Sequence, residues 1–135
     1  MTHRLHTGKT ILAAFMLAIV IKAFFFDFMI VSGTSMLPSI NNGKVIIVNR
    51  LSYGFKLPVA PTYFVRWQLP HNGDVVVFIT PFGDVAVKRC AELVQNNDGG
   101  FFFIAVGDNS VESYDSRSYG PVSVDNIIGR AFGIK

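Results

Sequence analysis

Two hydrophobic patterns divide the chain. From Thr10 to Phe28, TILAAFMLAIVIKAFFFDF, apolar residues dominate and only Lys22 and Asp27 bring charge. As a helix rising ~1.5 Å per residue, this run is about long enough to cross a hydrocarbon core of ~30 Å. Its strictly apolar part is Ile11 to Ile21, so the remainder needs snorkelling of Lys22 or an interfacial seat for Phe24 to Phe26. After Met29 the apolar residues come in short runs rich in β-branched side chains, separated by Gly, Pro, Asn and Asp. That pattern predicts strands at Met29 to Ser32, Lys44 to Asn49, Asp74 to Thr80, Asp84 to Arg89 and Phe101 to Val106, with a closing segment around Ile127 to Phe132. Asn41-Asn42-Gly43, Pro81-Phe82-Gly83 and Asn96 to Gly100 supply the reversals. The expected fold is mostly β: a small β-barrel-like domain over residues 29–135, behind one transmembrane helix at 10–28 and a flank at 1–9.

Charge orients this arrangement. Arg4 and Lys9, with His3 and His6, precede the apolar run, and basic residues mark the cytoplasmic side of a membrane segment. The expected topology is single-pass, with the amino terminus cytoplasmic and everything after Met29 outside. A cleavable signal peptide is the competing reading of such a run. Against it, no clear small-x-small site precedes Ser32, and a later cut would remove or expose the SGTSM segment. From Met29 onward nine Lys and Arg face eight Asp and Glu; without a basic face, nucleic acid is not an expected partner. Leu51 to Asn72 holds Tyr53, Phe55, Tyr63, Phe64 and Trp67 among three prolines. Two readings stay open for it, a dip into the lipid interface and a loop packed over the barrel.

The candidate chemistry is narrow. Cys90 has no second cysteine to pair with and no Cys or His at metal-ligand spacing, so it reads as a buried small hydrophobe, and no metal or other cofactor is expected. His71, between Pro70 and Asn72, reads as a solvated turn residue, and no HExxH, GxSxG or phosphate-binding loop occurs. What remains is a serine in a glycine-containing turn, Ser35 in VSGTSMLPSI, and a strand lysine, Lys88 in DVAVK. A lysine at its ordinary pKa of ~10.4 is no base near neutrality, but burial disfavours the ammonium and frees the amine to take a serine proton. Taken alone, a serine in a turn caps or bonds locally and a strand lysine snorkels, so the pair by itself leaves the choice open.

The order of segments decides more. The apolar run, SGTSMLPS, GDVVVF, VKR and GDNSVESYDSRSYGPV together resemble the type I signal peptidases, membrane-anchored Ser-Lys enzymes that release secreted proteins, from about Lys9 to Gly133. The resemblance implies a catalytic domain of the signal peptidase type, with Ser35 as nucleophile and Lys88 as general base. It implies that Ser113 orients the lysine amine, that Asp115 and Arg117 brace the loop, and that Gly107, Asp108, Asn109 and Ser116 support it. The Ser35 N–H would face the oxyanion; where part of the family has a second hydroxyl donor, this chain has Gly33. Pockets for small side chains would be lined by Met29, Val31, Met36, Ile40, Ala86 and Val87, with the substrate added as a β-strand near Val31 and Asp84 to Val87. The implied partners are preprotein signal peptides, the lipid bilayer and secretion machinery, at a bacterial plasma membrane by default. One departure stands out: GDN follows only nineteen residues after Lys88, so the family's second β subdomain is nearly absent. Competing readings are a Ser-Lys peptidase of pilus or conjugation processing, a self-cleaving repressor, which the anchor disfavours, and an inactive anchored binding module.

Overall fold

The computed structural model describes residues 2–133, with side chains described from Thr7 onward except that of Ala23. The side chains of His3, Arg4 and His6, which carry much of the expected basic flank, lie outside this set. Helix α1 (Thr2–Phe24) leads into β1 (Phe26–Ile30). The expected span of 10–28 therefore overruns the helix by four residues. The cause is local: Phe26–Ile30 pairs in full register with β2 (Val45–Asn49), and Asp27, alternating away from exposed Phe26 and Phe28, meets Arg50 at 3.0 Å. Among the described residues no helix is long and apolar enough to cross a membrane.

The sheet follows the strand pattern. After β2 come β3 (Gly54–Phe55), β4 (Val65–Arg66), β5 (Val75–Ile79), β6 (Val85–Gln95) and β7 (Phe101–Val106). A short helix α2 (Ser116–Tyr119), β8 (Val122–Ser123), a 3-10 turn (Val124–Asn126) and β9 (Ile127–Phe132) complete the chain. Seven strands form one antiparallel sheet in the order β1-β2-β9-β5-β6-β7-β8. β5 is buried on both faces, as its unbroken apolar run VVVFI demands. Val76 and Phe78 pack with Tyr53, Cys90, Phe103 and Ile127, while Val75 and Val77 pack with Met36, Ile40, Ile46 and Val48 on the other side. A core on each face of the central strand goes with a curled, half-barrel sheet.

Two segments differ from the sequence pattern. β6 runs six residues beyond Arg89 because a bulge between Cys90 and Glu92 breaks the alternation without ending the pairing with β7. Leu51 to Asn72 is not featureless: β3 and β4 form a small hairpin, Tyr53 is buried with its hydroxyl donating to Asp74 at 2.9 Å, and the Tyr63 hydroxyl donates to the Ile127 carbonyl at 3.0 Å. The same segment leaves Val59, Phe64 and Trp67 exposed. It packs by Tyr53, Tyr63 and Leu69 and shows Leu57 and Val65 to solvent as well.

Topology also fixes the site. Four antiparallel steps separate β1 from β6, so the two strands run in the same direction, and the curl sets the end of β1 across a cleft from the start of β6. Val85–Lys88 pairs only with β5, since β7 joins β6 from Arg89 onward.

Candidate active site

Ser35 is held in a turn anchored from beneath. Met36 and Ile40 are buried in the core, the Ile40 N–H donates to the Met36 carbonyl at 2.9 Å, and the Leu37 N–H donates to the Thr34 carbonyl at 3.1 Å. Gly33 enters the turn at φ +97°, a conformation that glycine adopts without strain, and its N–H donates to the Asn42 side chain at 2.9 Å. Ser35 is left half-buried, at the edge of a cleft of about 340 Å³.

Lys88 lines that same cleft and is only 5% exposed. On its strand face its neighbours are Ala86 and Cys90, the latter fully buried. Burial pushes the Lys88 amine below the ordinary lysine range; the Asp115 carboxylate pulls the other way and the Arg117 guanidinium reinforces the shift. The sequence placed a lysine on a strand; the fold desolvates it, and desolvation favours the neutral amine, the form that can accept a proton.

The GDN-to-DSR segment closes the site from the other side. Asp115 is fully buried and accepts five hydrogen bonds: from Ser113 Oγ at 2.6 Å, the Gly107 N–H at 2.8 Å, the Arg117 N–H at 3.1 Å, and Arg117 Nε and its terminal nitrogen at 2.9 and 2.6 Å. Burial alone would raise this carboxyl, but these donors hold it well below the usual carboxylate range. Ser116 Oγ accepts from the Ala105 N–H at 2.9 Å and fastens α2 to β7. Gly107 is the point of closest approach: a Cβ there would lie 2.5 Å from the Ser35 carbonyl oxygen and closer still to Ser113 Oγ.

Further hydrogen bonds tie this segment to the serine turn and to β6. The Asn109 N–H donates to the Ser35 carbonyl at 3.0 Å, and its side-chain amide donates to the Thr34 carbonyl at 3.2 Å. Thr34 Oγ1 in turn donates to the Glu112 carboxylate. Arg89 grips Asp108 through two nitrogens at 2.8 and 2.6 Å and reaches the Gly73 carbonyl at 2.8 Å. Thr34, Arg89 and Glu112 carried no assigned role in the sequence reading, although each flanks a residue that did.

The predicted pocket residues divide. Met29, Val31, Ala86 and Val87 line the cleft, joined by Ile30, Ser32 and Val85. Met36 and Ile40 do not line it; both are core residues under the serine turn, because the turn's short helical hydrogen bonds point them inward. His71 is exposed, and Cys90 is a buried thiol pushed up to about 11 by desolvation.

A curled antiparallel sheet thus presents a half-buried serine and a desolvated lysine to one cleft. Comparison with known proteins gives the family. The family model described as signal peptidase, peptidase S26, matches residues 4–94 and 95–134, and the chain belongs to that family. It is similar to Signal peptidase I V of Bacillus subtilis (strain 168), 30% identical over 152 residues that cover 84% of this chain and 88% of that protein. It is also similar to Signal peptidase I of Buchnera aphidicola subsp. Schizaphis graminum, 34% identical over 63% of this chain, and to Signal peptidase I of Pseudomonas fluorescens, 37% identical over 55%. Of those two relatives the matched stretch spans 28% and 26% of the length.

Proposed function

We propose that the protein is a serine endopeptidase that removes amino-terminal signal peptides from preproteins, with Ser35 as nucleophile and Lys88 as general base. The observation that carries this reading is the shared cleft: a half-buried Ser35 and a buried Lys88 line one groove between the ends of β1 and β6. In the reaction, Ser35 Oγ attacks the scissile carbonyl while the neutral Lys88 amine takes its proton. The oxyanion is met by the Ser35 N–H, and the protonated Lys88 then delivers its proton to the leaving amine as the C–N bond breaks. A water activated by the same amine hydrolyses the acyl-enzyme. Ser113 positions the amine, and Asp115 with Arg117 holds Ser113. Gly33 leaves room for the substrate backbone beside Ser35.

The reading includes small-x-small specificity, which the apolar wall of the cleft supports. An extended peptide between the outer edge of β1 and the free edge of Val85–Lys88 alternates its side chains, so its first and third residues before the scissile bond face the apolar wall of Met29, Val31, Ala86 and Val87.

The same reading attaches the enzyme through α1 to a bacterial plasma membrane, single-pass, with the amino terminus cytoplasmic and the catalytic domain outside. Ile11, Leu12, Phe15, Leu17 and Ile19 are exposed along the helix. The run Ile11 to Ile21 alone gives only ~16 Å of helix, so the exposed apolar face that follows complements it at the lipid surface. On that face Phe28 lies opposite Ile47, and Ile47 opposite Phe132.

The test is cleavage of a membrane-inserted preprotein carrying an Ala-x-Ala site, in detergent, with the new amino terminus sequenced. The expected result is a cut after the site by the wild type and none by Ser35→Ala or Lys88→Ala. Equal cutting by Lys88→Ala removes the lysine from the mechanism, and no cutting by any form leaves an anchored binding module.

A further inference from the structure

Beside the cleft lies an aromatic shelf that the chemistry does not use. Phe82, in the β5–β6 turn, is 63% exposed, and Tyr114, between Ser113 and Asp115, is 61% exposed. Their ring centroids are 6.1 Å apart, and both rings contact the half-buried Tyr119, at 6.0 and 5.5 Å. Tyr119 packs against the core, so the shelf has a fixed base and an open top. Large aromatic rings exposed together are costly in water and mark surfaces that receive an apolar partner.

Its position names the partner. β1 and β6 run in the same direction and reach Ser35 and Lys88 at the same end of the cleft. A peptide whose residues before the scissile bond fill this groove runs from Lys88 back toward Val85. It leaves the groove past Asp84, where the next side chain but one is Phe82. Val85 to Lys88 is ~10 Å of extended strand, about the reach of a substrate's first four residues before the cut, and Phe82 stands in the turn just beyond it, beside residues about four to seven places upstream. The turn itself is built to stay in place: Thr80 Oγ1 accepts from the Phe82 and Asp84 N–H groups, and Gly83 takes φ +92°.

We propose that Phe82, Tyr114 and Tyr119 form an extended subsite that binds the apolar stretch of the substrate upstream of the small-x-small site. The proposal rests on the signal-peptide reading given above. It adds a specificity surface outside the small-residue pockets, one that selects substrates by the hydrophobicity of a segment that the catalytic residues never touch.

Two peptides test it. One carries only three residues before the Ala-x-Ala cut; the other adds four leucines upstream. Both are offered in detergent to the wild type and to Phe82→Ser, and both are titrated by calorimetry onto Ser35→Ala with and without Phe82→Ser. The expected result is that the wild type prefers the longer peptide about tenfold in kcat/KM, through KM, and that Phe82→Ser brings this ratio to near one. Tyr114→Ser repeats the effect if the shelf acts as a unit, and circular dichroism shows whether each variant folds. A ratio near one in the wild type, or one unmoved by Phe82→Ser, overturns the subsite and leaves the peptidase reading standing. If Ser35→Ala binds the longer peptide more tightly through Phe82 but the wild type cuts neither, the surface stands and the peptidase reading falls. If neither peptide is cut or bound, both fall.

Discussion

The Ser113 hydroxyl donates its proton to Asp115 across 2.6 Å. A hydroxyl has one proton to give, so the Ser113 oxygen faces its remaining neighbours as an acceptor. A Lys88 amine that donates to it has its lone pair turned away, toward the nucleophile. On the proposed mechanism Asp115, itself fixed by Arg117 and the Gly107 N–H, would orient the base through Ser113 rather than by touching it.

Ser113→Ala is expected to lower kcat by ~100-fold, at the low end of what a positioned general base contributes, with KM little changed. Ser113→Thr, which keeps the hydroxyl, is expected to recover part of the loss. Steady-state kinetics on an Ala-x-Ala peptide separates the two constants. A proportional rise in KM instead would make Ser113 a substrate contact.

Activity is expected to rise with pH, because only the neutral Lys88 amine accepts the serine proton. Desolvation first, then the Arg117 charge, holds this amine below 10.5, while Asp115 opposes the shift. The rising limb of kcat/KM therefore has its midpoint below that of an ordinary lysine. Arg117→Gln removes a positive charge that disfavours the ammonium, so its limb is expected to move to higher pH. A limb that stays in place would show that Lys88 does not feel Arg117.

How far the sequence carries this site depends on the kind of interaction. Strand alternation and turn residues locate β2, β5, β7 and β9 to within a residue at each end, because those strands bury one face or both. The bulge in β6 and the hairpin within Leu51 to Asn72 have no such periodic signature. Ser35 and Lys88 were legible as a pair only through the order of motifs; burial of the lysine is a tertiary property. Thr34, Arg89 and Glu112 were not legible, because each acts on a residue that is distant in sequence, Thr34 on Glu112 across 78 positions. Met36 and Ile40 lie in the core beneath the serine turn, which the sequence could not show, since an apolar residue beside a nucleophile reads alike whether it faces the substrate or the core.

The Thr34 to Glu112 hydrogen bond joins the residue before the nucleophile to the loop that carries Ser113. With Asn109 bonded to both Thr34 and Ser35 backbone carbonyls, it fixes the nucleophile's turn against the base's support. Misplacing a reacting group by ~1 Å can cost ~100-fold, and partial loosening here is expected to cost about tenfold in kcat for either Glu112→Ala or Thr34→Val. The double variant is expected to be no worse than either single one, as for two members of one contact. Additive losses would mean that the residues act separately.

Gly107→Ala tests the packing of the site as a whole. Its methyl group has no room between Ser113 and the Ser35 carbonyl, and the opposing atoms are backbone and a short side chain already engaged with Asp115. Overpacking of this kind typically costs ~1–3 kcal/mol. A lower Tm is expected together with a loss of activity larger than the stability loss explains, since the atoms displaced are those that align nucleophile and base. Full activity with wild-type Tm would show that the two loops separate at little cost.

The last expectation sets stability against catalysis. An unfolded chain returns Lys88 to its ordinary pKa, whereas burial in the fold lowers it. Between the lowered value and 10.5 the unfolded state binds a proton that the native state has released. Native stability therefore rises with pH across that window, and below it the cost of burying the ammonium is fully present. Lys88→Met removes the charge and keeps the apolar stem. It is expected to be more stable than the wild type at neutral pH, to lose the pH-dependent rise, and to cut nothing. Urea unfolding of both proteins between pH 6 and pH 10.5 measures this directly. A Lys88→Met protein less stable at pH 7 would mean that the amine's attraction to Asp115 outweighs its desolvation, and a lysine stabilised in that way would be a cation in the fold, unfit to serve as the base.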